Sequence, residues 1–133
     1  MKKDNQKKLA SEWILKGQND LETAEILLRE KGPTDTLCFH CQQAVEKFLK
    51  AYIVFSGDRF EKIHDLWKLA KLAGKTNKKI LEFEKELKNL NAYYIESRYP
   101  SDAASYTRTE CKKALRDANE ITQYILKAKV IEK

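Results

Sequence analysis

The chemistry available to this chain is concentrated in a few side chains. Cys38-Phe39-His40-Cys41 is a C-x-x-C. Three-residue spacing on a helix puts both thiols on one face, as a metal site or a redox couple would require. A zinc ion needs four ligands, and only Cys111, His40 and His64 could complete that set. A thioredoxin-like motif would need a strand–helix–strand setting, which the sequence does not offer. Both cysteines fall on an apolar stripe, where Cys behaves as a small hydrophobe, so they are read as core residues and no metal or cofactor is expected. His64-Asp65 reads as a polar helix start, with Asp65 at the positive end of the dipole.

Two other groups could contact a nucleotide. Arg98 offers a planar fork for phosphate, and Tyr99, with Tyr93, Tyr94 and Tyr106 nearby, offers stacking. The same pair could equally form a structural corner at a helix end. His40 with Gln42 and Gln43 is a polar cluster suited either to a base or to helix–helix hydrogen bonding. Gly-rich phosphate loops, G-x-S-x-G and nucleotidyltransferase-like acidic motifs are missing from the sequence.

These residues must be positioned by helices. The 133 residues fit one domain, spanning 1–133, with 42% hydrophobic residues for a core and 35% charged residues for its surface. There is no apolar run of about 18 residues, so no membrane span is expected. The polar start, Met1 to Lys8, has no signal core, and three cysteines suggest reduced thiols in the cytoplasm. The net charge of +6 could draw nucleic acid or acidic partners, but the lysines are interleaved with glutamates as on ordinary solvated faces.

Apolar gaps of three and four predict a first helix over Asn5–Lys31, with Leu9, Trp13, Leu21, Ala24 and Leu28 inward and Gly17 in the gap. Gly32-Pro33 ends it, with Gly32 as the left-handed cap. A second helix, Asp35–Phe55, carries Leu37, Cys41, Ala44, Phe48 and Tyr52, widened by Cys38, Val45 and Leu49; Gln43, Glu46, Lys47 and Lys50 are its wet side. A short helix, Asp65–Ala73, turns Leu66, Leu69, Ala70 and Ala73 inward, and Asn77–Tyr94 follows with Ile80, Phe83, Leu87, Leu90 and Tyr94. Pro100 marks a break. Ser105–Lys129 closes the chain on a seam of Thr107, Cys111, Ala114, Ala118, Ile121, Ile125 and Ala128. The expected fold is therefore all-α, an up-and-down bundle of four long helices plus one short helix.

Four stretches then match one family pattern in order: Asp20 to Leu28; Phe39 to Tyr52; Ile63-His64-Asp65-Leu66; and Tyr94 to Pro100 with its Arg98-Tyr99-Pro100. Over about residues 10–126 the chain resembles the HEPN domain. The resemblance implies a helical bundle, usually a homodimer, often encoded beside a minimal nucleotidyltransferase and in some members a toxin. Ribonucleases of that family carry an Arg, four to six residues, then a His, pairing phosphate orientation with proton transfer. From Arg98 those positions hold Ala103, Ala104 and Ser105, so the acid–base group is missing and the chain is expected not to be an enzyme. Arg59 and His64 fit the spacing formally, at a place the family does not use. The function implied is a non-catalytic module binding nucleotide or RNA through Arg98, Tyr99, His40, Gln43 and His64. Its implied partner is a small nucleotidyltransferase, the two forming the halves of a toxin–antitoxin pair. The alternatives are a metal-independent ribonuclease toxin and a structural dimerisation domain without ligand.

Overall fold

A computed structural model describes residues 3–96 and 106–131. The roles expected of Arg98 and Tyr99 and the break at Pro100 lie outside those residues. The regular elements of the described chain are all helices: α1 (Lys3–Arg29), α2 (Thr34–Phe55), α3 (Leu66–Ala73), a 3-10 helix (Lys78–Phe83), α4 (Glu84–Glu96) and α5 (Arg108–Ile131), with no strand among the described residues. This is the expected all-α bundle of four longer helices and one short one. No described helix is long and apolar enough to cross a membrane.

α2 is the central element and packs against all four other α-helices. Its burial runs nearly around the helix, from Leu37, Cys38 and Cys41 to Ile53 and Val54. α3 buries Leu66, Leu69, Ala70 and Ala73, as its spacing indicated, and α5 buries Cys111, Ala114, Ala118, Ile121, Ile125 and Ala128.

The first half of the α1 seam sits one residue over from the expected one, while Gly17, Leu21 and Ala24 lie inward as expected. Ala10, Ile14, Gly17, Leu21 and Ala24 are buried, while Leu9, Trp13 and Leu28 lie only partly inside. Gly17 is the point of closest approach to α2 along that seam. A Cβ there would stand 2.6 Å from Phe48 Cδ1 and 3.2 Å from the Ala44 carbonyl oxygen, so the missing side chain is what admits the Phe48 ring. Alanine at this position should gain about 1 kcal/mol of helix propensity yet lose about 1–3 kcal/mol to overpacking. Gly17→Ala is therefore expected to lower the urea midpoint; a raised midpoint would mean that the Phe48 ring gives way at no cost.

Three helix ends differ from expectation. Lys31, not Gly32, takes the left-handed conformation after α1, at φ 57°. The Gly32 N–H bonds to the Leu27 carbonyl at 2.8 Å and the Lys31 N–H to that of Leu28 at 3.4 Å, the reciprocal pattern of a Schellman cap. A lysine carries a steric penalty in that conformation which glycine avoids, partly offset by glycine's looser unfolded chain. Lys31→Gly should thus stabilise by roughly 0.5 kcal/mol, read as a rise in melting temperature that Lys31→Ala does not give. The stretch expected to open the fourth helix winds instead as a 3-10 turn. The Asn77 side chain accepts the Lys79 N–H and, at 2.9 Å, the Tyr124 hydroxyl, and the tight turn delivers Ile80 to the core. Finally, α5 starts at Arg108 rather than Ser105, because Thr107 is its cap: its hydroxyl accepts the Glu110 N–H at 3.0 Å.

Candidate functional site

The polar side chains of α2 fall on two neighbouring flanks. On the first, His40 and Lys47 are seven residues apart, two turns, and so project on the same side. Between them reaches Asp20 from α1, only 7% exposed although it lies among apolar seam residues. Its carboxylate takes His40 Nδ1 at 2.8 Å on one oxygen and Lys47 Nζ at 2.6 Å on the other. A carboxylate this dry is tolerable only because both oxygens are filled.

The second flank centres on Glu46. Sequence spacing put Glu46 and Lys50 on the wet side of α2, and the structure corrects this: they are 3% and 6% exposed. Glu46 Oε2 accepts Lys50 Nζ at 2.9 Å and His64 Nδ1 at 3.1 Å. Gln42, fully buried, donates to the His64 carbonyl at 3.1 Å, and Gln43 donates to the Gln42 side-chain oxygen at 2.8 Å. The Lys50 ammonium lies 5.3 Å from both the Trp13 and the Phe60 ring centroid, so its apolar cover adds cation–π attraction. Trp13 and Phe60 meet edge to face at 5.9 Å and together cover the Lys50 ammonium.

His64 is fixed from the chain side as well. The next residue, Asp65, caps α3 by accepting the Trp67 and Lys68 N–H groups, and Asn91 accepts the Leu66 N–H at 2.8 Å. The His64 ring stacks on Tyr94 with centroids 4.5 Å apart and planes 12° from parallel. Tyr94 in turn stacks on Phe39 at 6.2 Å, and Phe39 meets His40 edge-on at 5.7 Å. A row of rings thus joins the two flanks. In both histidines the carboxylate holds Nδ1, which makes Nδ1 the protonated nitrogen of the neutral ring and leaves Nε2 for proton exchange or a ligand. The His64 side chain is 46% exposed, so its ring remains accessible.

Of the sequence candidates, the structure joins His40, Gln43 and His64 to one connected face. Arg59 is placed elsewhere: it lines a groove of about 490 Å³ with Gln6, Leu9, Trp13 and Phe60, and no hydrogen bond or ring contact links it to His64 among the described residues. Asp20, Glu46 and Lys50 were not picked out by sequence reasoning. The available signal was Asp20 itself, an acid between Gly17 and Leu21 on an apolar seam.

The thiols are core residues. Cys38, Cys41 and Cys111 are all fully buried, and Cys38 Sγ lies 3.4 Å from Cys111 Sγ. Burial pushes the Cys41 thiol up to about 12, and it raises Cys38 and Cys111 in the same direction. Among the described residues no cluster of three or more His, Cys, Asp or Glu side chains could hold a metal ion. Between α4 and α5, Tyr93 donates to Glu110 at 3.0 Å and packs edge-on against Tyr106 at 4.8 Å, beside a cavity of about 310 Å³.

Known proteins share this fold. A protein of Methanocaldococcus jannaschii named as a candidate toxin is 26% identical over 141 aligned positions, covering 89% of this chain and 86% of the relative. The crystal structure of TT1696 from Thermus thermophilus superposes with a TM-score of 0.74 at 25% identity, over 89% of this chain and 96% of that one. The crystal structure of ST0689, described as an archaeal HEPN homologue, gives 0.72 at 22% identity, over 90% and 97%. The family model of the HEPN domain matches residues 10–129, nearly the whole helical bundle just described, and the chain belongs to that family.

Proposed function

We propose that this chain is a non-catalytic HEPN module of a toxin–antitoxin pair, binding nucleotide or RNA on the polar face of α2 and working with a small nucleotidyltransferase, itself as a homodimer. The observation that carries the reading is the His64–Tyr94 stack. A half-exposed imidazole, anchored at Nδ1 by a buried carboxylate and backed by a second aromatic ring, is a firm platform for a base, and its Nε2 is a directed hydrogen-bonding group. His40 and Gln43 extend the face, and Arg98 and Tyr99, which follow Tyr94 closely in sequence, are proposed to supply phosphate and stacking contacts. The candidate-toxin relative supports the toxin context. The absence of histidine at 103, 104 and 105 supports a binding role over cleavage.

One feature favours a ribonuclease as the second reading. Glu46 and His64 form the carboxylate–imidazole pair that a general base needs. Incubating the purified protein with total RNA separates the two. The binding reading expects intact RNA and a nucleotide-induced rise in melting temperature, since ligand at 100 times its dissociation constant adds roughly 2.7 kcal/mol. Robust cleavage that disappears in His64→Ala would establish the ribonuclease instead.

A further inference from the structure

We infer that Cys38 and Cys111 are an oxidative modification site, a dithiol that closes to a disulfide joining the start of α2 to the start of α5 when the protein meets a peroxide. The two sulfurs already lie 3.4 Å apart, across 73 residues of sequence, and both are fully buried. Closing the bond requires the sulfurs to approach to roughly 2.05 Å.

The surroundings hold the pair in register. Cys38 is in the second turn of α2 and Cys111 in the first turn of α5. Arg108 donates to the Gly32 carbonyl at 2.9 Å, and the Cys111 thiol reaches the Thr34 carbonyl at 3.6 Å, so two further contacts pin the same helix ends. Cys41 also neighbours Cys111, but its sulfur makes no hydrogen bond among the described residues, whereas Cys38 Sγ is in contact with Cys111 Sγ.

The roles within the pair follow from the electrostatics. Burial raises both thiols, but at Cys111 the contact with Cys38 and the Arg108 charge work against that rise, which assigns Cys111 as the attacking sulfur. The Cys111 thiolate attacks one peroxide oxygen, breaking the O–O bond; the sulfur becomes a sulfenic acid and the other oxygen leaves as water after taking a proton. The Cys38 thiolate then attacks the Cys111 sulfur, and the sulfenic oxygen leaves with a proton as a second water. Two thiols and one peroxide give one disulfide and two waters. Because burial holds all three thiols protonated, the reaction waits on transient opening of the first turn of α5 and runs slower than oxidation of an exposed thiol.

The test is intact-mass measurement of the whole protein during exposure to hydrogen peroxide, followed by peptide mapping without reductant. The expected product is two hydrogens lighter than the starting chain, carries a Cys38–Cys111 cross-link, and reverts with dithiothreitol. Cys41→Ala should still form it, and Cys38→Ala and Cys111→Ala should not. A link through Cys41, stepwise addition of oxygen without loss of hydrogen, or an unchanged mass after a day in oxidant would each overturn the inference. Wild-type mapping decides the matter even where a variant fails to fold.

Discussion

Replacing Glu46 with glutamine is expected to destabilise the protein by about 3–5 kcal/mol, because it leaves the buried Lys50 ammonium without its counter-charge. Glu46 and Lys50 are 3% and 6% exposed and 2.9 Å apart, so water cannot take over the lost role. Glutamine keeps the shape and one hydrogen-bond acceptor, which isolates the charge from the packing. The cation–π contacts from Trp13 and Phe60 soften the loss without cancelling it. Removing both charges behaves differently. Glu46→Leu with Lys50→Met should recover most of the stability, since a dry ion pair and a well-packed apolar pair are close in free energy. The recovery stays incomplete because His64 and Gln42 lose their acceptor. Urea unfolding of Glu46→Leu, Lys50→Met and the double that combines them gives the coupling energy directly. A single-variant cost below about 1 kcal/mol would show that the pair is hydrated after all.

That pair also marks where the sequence stops being readable. Glu46 and Lys50 are four residues apart, the spacing of an ordinary solvent-exposed helix pair, and nothing local distinguishes the two cases. What buries them is distant in sequence: Trp13 from α1 and Phe60 and His64 from the segment after α2. The His64–Tyr94 stack is likewise a contact across thirty positions and leaves no periodic trace. By contrast, α3 and α5 carry their burial in the three-and-four spacing of their own apolar residues, and the C-x-x-C thiols were legible as core because they share α2's stripe with Leu37 and Val45. The first half of the α1 seam was missed by one residue, Ala10 and Ile14 being buried where Leu9 and Trp13 were expected, whereas Gly17, Leu21 and Ala24 were legible. Fold class and core were thus local information, whereas the site is made by chain segments meeting on α2.

The same burial predicts how the protein fails in alkali. The Cys41 thiol ionises near 9.0 when unfolded and near 12 in the fold, where desolvation is the largest cause and the neighbouring Cys111 adds to it. A folded-state value above the unfolded one means the native protein keeps a proton that the unfolded chain releases. Stability from this source is fully present below pH 9 and declines as pH rises toward 12. For Cys41 alone the loss is about 1.4 kcal/mol at pH 10 and approaches about 4 kcal/mol by pH 12. Cys38, Cys111 and Tyr93 are raised as well and act in the same direction, so the decline should be steep against a total stability of roughly 5–15 kcal/mol. Urea midpoints measured at pH 7.5, 9 and 10 under reductant should fall progressively, and Cys41→Ala should flatten that fall while costing little at pH 7.5. Cys41→Ser should instead cost about 1–3 kcal/mol at neutral pH, the penalty of a buried hydroxyl without a partner. Equal alkaline slopes for the wild type and Cys41→Ala would mean that this thiol reaches water in the native state, and the core placement of the C-x-x-C would then have to be abandoned.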